Sequence, residues 1–400
     1  MGNNTINQSL VKLHNYCIND NYKGYSLYDS HTSPIPFDKV GPTISFLINQ
    51  IVKRSPINIR KIIGVNKAYN PKGMGLFLHA YILQKELGNP LGIENLDERI
   101  AFFFNWLKEN YSQGYSGYCW GYNYPWPTNS NRLVVSAYTP NSVVTGFNIR
   151  AIFQYYLLTK EETCLDLIRG AEKFILNDIP MTENEKGICF AYTPIKKDIT
   201  INASLLAAEI LAYSDYAFDK KDNQEIIRKV FDFTMAHQNS DGSWYYSFEP
   251  ETGKPKKQID FHQGYVLETI KRICEYSAID IKDYDNQIKS GLLFYRGNQF
   301  TDEGIAYWRI PKKWPVDVHN QSQGIITFSL FKEYDPEYLY FASKIAEWTI
   351  ENMQDLKGNF YYQKWPLITN KVSYMRWNQA WIMLAFTMRL QSEEIGANIN

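Results

Sequence analysis

Three observations predict an all-α fold, an (α/α)6 toroid of six helical hairpins with short Gly-aromatic β-like segments at one mouth. A glycine followed by paired aromatics occurs five times: "GYCWGY" from Gly117, "GICFAY" from Gly187, "GSWYYS" from Gly242, "GIAYWR" from Gly304 and "GNFYYQ" from Gly358. The intervals are 70, 55, 62 and 54 residues, each the length of one helical hairpin and a loop. Runs that are apolar nearly all round alternate with amphipathic ones, the pattern of buried inner helices and half-exposed outer ones.

Taken in order, residues 1–40 show little periodicity and are expected to cap one end, 41–392 to form a single toroid domain, and 393–400 a C-terminal tail. The first inner run is "GMGLFLHAYILQKEL" (73–87), and the others cover 145–159, 202–216, 261–276, 320–334 and 378–390. Segments 164–178 and 223–237 are amphipathic and read as outer helices. An open solenoid of helical pairs is the alternative. Six runs, the last close to the C-terminus, favour closure into a ring.

Composition narrows the class of function. Lys+Arg and Asp+Glu are both 42, so nothing global attracts nucleic acid or an acidic membrane surface, and any electrostatic message is local. The cysteines Cys17, Cys119, Cys164, Cys189 and Cys274 are odd in number and lack a CxxC pair, which argues against a disulfide framework and a zinc knuckle. Reduced thiols are expected, and neither a metal nor a cofactor. No basic start precedes an apolar core and no long apolar run occurs, so a soluble, cytoplasmic chain that does not span a membrane is expected. Oligomeric state is not legible. Aromatics make up 16% of the chain, with 30 Tyr and 10 Trp, which suggests surfaces that are apolar and hydrogen-bonding together, such as a sugar cleft.

The stretch Gln238-x3-Gly242-x-Trp244 resembles the Gln/Trp repeat of triterpene cyclases. The hairpin layout, over residues ~60–392, resembles a wider set of α/α toroids, the six-hairpin carbohydrate-active superfamily. That set includes six-hairpin glycosidases and the helical domains of heparinase- and alginate-lyase-type enzymes and of glucuronyl C5-epimerases. The chain also resembles proteins of bacterial surface-polysaccharide gene clusters. Terpenoid cyclase chemistry would imply a DxDD or DDxxD motif, which is absent, and a prenyltransferase-like toroid would imply a Cys/His zinc site. Both are minor alternatives.

In such a toroid the connectors into the inner helices gather at one mouth. From each repeat glycine to the following helix they carry 12 Lys/Arg against 5 Asp/Glu, a basic mouth on a neutral protein. The lysines recur as Lys196-Lys197, Lys254/Lys256-Lys257 and Lys312-Lys313, with Arg132, Arg309 and Arg376 beside them. An anionic ligand is expected, with Lys257 and Lys313 among its contacts. Trp120, Tyr122, Trp244, Trp308, Trp314 and Tyr361 are candidate stacking surfaces for pyranose rings. His262 and His319 each begin an inner helix in consecutive repeats, with Asp260, Gln263, Asp317, Asn320 and Gln323 nearby. "MRWNQAW" adds Arg376 and Asn378, the arginine suited to a carboxylate.

Together these residues predict an enzyme acting on an acidic glycan or glycoconjugate by uronate lyase or C5-epimerase chemistry. His262 or His319, with Tyr246 or Tyr307, would move the C5 proton, and Arg376 would stabilise the carboxylate. A glycoside hydrolase using paired carboxyls from Asp241, Glu303, Asp260 and Asp317 is one alternative. A glycan-binding protein without catalysis is another.

Overall fold

The computed structural model describes residues 2–37, 39–127 and 134–397. Its helices are α1 (Gly2–Asn19), α2 (Pro42–Arg54), α3 (Pro71–Glu86), α4 (Leu96–Glu109), α5 (Ser142–Thr159), α6 (Glu162–Asp178) and α7 (Ile201–Ala217). The second half holds α8 (Gln224–Met235), α9 (His262–Tyr276), α10 (Asp285–Gln299), α11 (Val318–Leu330), α12 (Pro336–Met353) and α13 (Trp381–Ala397). Helices α3, α5, α7, α9, α11 and α13 pack side by side in that order, and α13 returns to α3. The ring is closed, as the run of six predicted. A π-helical turn over Met375–Ala380 leads into α13, so the last inner α-helix starts at 381 rather than near 378.

The outer layer contains a departure from expectation. Residues 1–40, read as a cap of low periodicity, contain α1, which packs on α12 and α13 and takes the sixth outer place. Its buried Ile6, Leu10, Leu13 and Cys17 follow the spacing of one helical face.

The repeat glycines explain the period. After each outer helix the chain turns inward and its glycine lies against the backbone of the next outer helix round the ring. Gly117 meets Gly170 of α6, Gly187 meets Lys229 of α8, Gly242 meets Ser290 of α10, Gly304 meets Ile345 of α12 and Gly358 meets Lys12 of α1. A Cβ at any of them would overlap main-chain atoms, and the last four also hold positive φ. The following residue pair is then gripped by the first turn of the next inner helix. Trp120 N–H donates to Thr145, Phe190 to Ser204, Trp244 to Gln263, Ala306 to Gln321 and Phe360 to Gln379. Each glutamine also returns its amide N–H to a carbonyl of the same strand. One continuous apolar core results, running from Ile6 to Leu390.

Candidate functional site

The inner helices begin at one mouth, and residues 21–37 and 39–66 form a strap across part of it. Tyr25 bridges to Tyr374, and Leu27 packs with Tyr362, Val372 and Tyr374. Asp29 and Arg60 form a buried pair at 2.7 Å that fastens the strap to itself, with Arg60 over the Tyr374 ring. Beneath this strap lies a nest of aromatic and titratable side chains.

His262, at the first turn of α9, is held by Asp260. Its Nδ1 lies 2.5 Å from Asp260 Oδ1, which also accepts the His262 backbone N–H. This fixes Nδ1–H as donor and leaves Nε2 as an acceptor, with no hydrogen bond to it among the described residues. Asp260 is buried, but the adjacent His262 and the hydrogen bonds outweigh that burial and hold its carboxyl below the usual range. Gln258 and Arg309 occupy its other oxygen.

His319, at the start of α11, is 1% exposed. Its ring stacks on Trp377 at 4.2 Å, its Nε2 lies 2.6 Å from the Tyr265 hydroxyl, and its Nδ1 has no hydrogen-bond partner among the described residues. Burial, then the charges of Lys72 and Arg376, push its pKa well down, and burial pushes the Tyr265 hydroxyl well up. The imidazole is therefore neutral and accepts from a protonated tyrosine. Phe261 sits between the histidines, with ring centroids 4.2 Å from His262 and 4.5 Å from His319.

Two cations complete the nest. Lys72, in the first turn of α3, is 3% exposed and its ammonium lies 4.0 Å from the centroid of Phe147, near Tyr265 and Trp381. Burial and the neighbouring Arg376 and Arg150 lower its pKa well below the usual lysine value. Arg376, in the π-helical turn, is equally buried. It lies over Tyr122 and Trp377 and donates to the Tyr124 hydroxyl at 3.3 Å, while its Nε has no partner. Among the described residues, neither cation has a carboxylate within salt-bridge distance. Asn148 and the Trp381 indole N–H are also buried without partners. Unsatisfied buried polar groups are uncommon in folded proteins, and their concentration here points to a ligand.

The expected residues divide into three groups. His262, His319, Arg376, Asp260, Tyr122 and Tyr246 come together, Tyr246 with its ring 4.4 Å from His262 and Tyr122 under Arg376. A second group is absorbed by the fold. Trp120 and Trp244 are buried and donate their indole N–H to outer-helix carbonyls of Leu107 and Thr234, so neither offers a stacking face. Gln263 grips Trp244, Asn320 donates to the carbonyls of Tyr307 and Trp308, and Asn378 to those of Phe360 and Val372. Gln323 donates to Glu268 deeper in the barrel.

The third group lies toward the rim. Tyr361 bonds Asp355, Trp308 and Trp314 carry Arg309 and Lys313 over their rings, and Tyr307 contacts neither histidine. Lys257 is exposed, and its neighbour Lys256 is the one that reaches over the Tyr246 ring. Asp241 and Glu303 are exposed turn residues away from the nest. Arg132 lies outside the described residues.

Sequence reasoning missed Lys72, Tyr265 and Trp377. Lys72 had a signal: it is a charge one residue ahead of the run 73–87, which is apolar nearly all round.

No family model matches the chain, and no curated protein matches it. Solved structures do. A cellobiose 2-epimerase from Bacillus thermoamylovorans is 14% identical with a TM-score of 0.64, covering 80% of this chain and 88% of its own. An unsaturated glucuronyl hydrolase specific for heparin is 12% identical with a TM-score of 0.62, covering 99% of both chains. A GH76 α-mannanase from Bacteroides thetaiotaomicron is 16% identical with a TM-score of 0.61, covering 82% of this chain and 88% of its own. At these identities the likeness establishes the α/α-toroid fold.

Proposed function

We propose that the chain is a carbohydrate-directed enzyme that moves the C5 proton of a uronate residue in an acidic glycan, as an epimerase or a lyase. The observation that carries this reading is the pairing of two buried cations lacking carboxylate partners with two histidines whose ring nitrogens are oriented from within the chain. The fold is shared with proteins named as a cellobiose 2-epimerase and an unsaturated glucuronyl hydrolase, which agrees with a sugar substrate.

The chemistry assigns each group one task. Arg376 and Lys72 receive the uronate carboxylate. His262 Nε2 takes the C5 proton, its ring oriented by Asp260. The electron pair left on C5 passes into the carboxylate, where the two cations stabilise the added negative charge. In epimerisation, the Tyr265 hydroxyl gives its proton to C5 from the opposite face, and the tyrosinate and the His262 imidazolium then exchange protons with solvent. In elimination, the same electron pair expels the oxygen substituent at C4, which takes the Tyr265 hydroxyl proton as it leaves.

Hydrolysis is supported less well, because Asp260 and Asp317 are both engaged. Asp317 accepts from the His319 N–H, the Trp377 indole and Gln363, while Asp260 is locked to His262. The test is incubation with a panel of uronate oligosaccharides in deuterated water, followed by NMR at C5. With the native protein deuterium enters C5, or a C4–C5 unsaturated product forms, and His262→Gln lowers either rate about 10²–10⁴-fold. Glycosidic cleavage to saturated products without C5 exchange, abolished by Asp317→Asn, would overturn the reading.

A further inference from the structure

Helix α2, on the strap, buries Val52 together with two polar side chains and turns an apolar stripe outward. Its inward positions include Ser45 and Asn49, both buried and hydrogen-bonded to His31 and to the Tyr28 carbonyl. Its outward positions are Ile44, Leu47 and Ile51, exposed by 54%, 52% and 64% and spaced to form one stripe. On the flanking strap Val40, Ile57 and Ile62 are exposed as well, the last by 82%. Isolated exposed aliphatics are ordinary, but a contiguous row on a helix that buries serine and asparagine marks a face made for apolar surroundings.

Charge says what those surroundings are. Residues 39–67 contain Lys39, Lys53, Arg54, Arg60, Lys61 and Lys67 and no acidic residue, in a chain whose net charge is zero. Arg60 is paired with Asp29, Lys67 with Asp20 and Lys53 with the Tyr28 hydroxyl, leaving Lys39, Arg54 and Lys61 exposed beside the apolar row. A short helix with exposed isoleucines flanked by lysine and arginine has the composition that settles into the headgroup layer of an anionic bilayer. A protein partner would be met by the same apolar row but would not call for a one-signed basic border.

We infer that the strap face formed by Ile44, Leu47, Ile51, Ile57 and Ile62 is a peripheral docking surface for an anionic lipid membrane. This goes beyond the proposed reaction and does not depend on it. No helix among the described residues is long and apolar enough to cross a membrane, so the association is interfacial.

The full chain is sedimented with phosphatidylcholine vesicles with and without phosphatidylglycerol, at low and high salt. Binding to the anionic vesicles is expected, weakened about tenfold or more both by raised salt and by Ile44→Ser/Leu47→Ser/Ile51→Ser. Lys39→Glu/Arg54→Glu/Lys61→Glu weakens it similarly. Unfolding midpoints confirm that the variants fold, and Ile51→Ser alone serves if the triple variant does not. Equal binding to both vesicle types, or undiminished binding by the apolar variant, overturns the inference. So does a lipid-free dimer in sedimentation velocity that the apolar variant abolishes while no vesicle binding is seen, since the face would then cover a second copy.

Discussion

Two clusters of buried charge lie inside the same ring of helices, and they differ in whether they are closed. In the deeper one, Arg150 holds Glu209 through two bonds of 2.7 and 2.6 Å and Glu268 through one of 2.6 Å. Arg272 reaches Glu268 at 3.2 Å, and Tyr213 and Gln323 add further hydrogen bonds. Two cations meet two anions, and the set is complete. Nearer the mouth, Lys72 and Arg376 are as deeply buried, yet among the described residues their neighbours are aromatic rings, tyrosine hydroxyls and a neutral histidine. Charge without a counter-ion is expensive to hold in a protein interior. The deep cluster is complete within the fold, and the upper one is the set that the proposed uronate carboxylate would complete.

Substitutions separate the two. Arg150→Met leaves Glu209 and Glu268 buried and facing each other, and is expected to destabilise by about 3–5 kcal/mol, measured by denaturant unfolding. Arg376→Gln and Lys72→Met remove charges that the fold does not balance. They are expected to leave stability unchanged or to raise it by on the order of 1 kcal/mol, while uronate processing is lost. A loss of several kcal/mol in either variant would erase the distinction between the clusters.

Acid sharpens the comparison from another side. Burial lowers the pKa of His14 to about 4, lowers that of His237, and pushes those of His79 and His319 well down, all from an ordinary 6.5. The unfolded chain therefore binds more protons than the fold once pH drops below about 6.5, and stability decreases as pH falls from there toward the folded values. Burial raises the carboxyls of Asp29, Asp198 and Asp317, a contribution of opposite sign that sets in nearer the carboxylate range. The unfolding midpoint should fall between about pH 7 and pH 5, and fall less in His319→Gln. A midpoint flat over that range would mean that these histidines are charged in the fold.

The ring was legible because each Gly-aromatic stretch records a steric event. Gly242 tolerates no Cβ beside Ser290, so the repeat length is the distance from one outer helix to the next. Helix α1 escaped notice because its repeat partner, Gly358, lies at the far end of the chain. In the site, His262 and His319 were found because polar residues at the start of apolar helices stand out. The same rule also picked Gln263, Asn320 and Asn378, which the fold uses as latches. The sequence cannot separate these classes, since what distinguishes them is whether a partner completes the hydrogen bond. The tryptophans mislead for a related reason: Trp244 gives its indole N–H to an outer-helix carbonyl while Tyr246, two residues on, lies beside His262, and residue type does not tell the two apart.

The most direct test of the open charge cluster is thermal unfolding of the native chain and of the Lys72→Met/Arg376→Gln variant in the presence of uronate oligosaccharides and of their neutral hexose counterparts. A ligand that binds only the folded state raises the midpoint, by an amount that grows with the logarithm of its concentration above its Kd. The native midpoint should rise with the acidic sugar and hardly at all with the neutral one, and the variant should respond to neither. Equal stabilisation by the neutral sugar, or a variant that still responds to the uronate, would show that Lys72 and Arg376 are not the anion's partners.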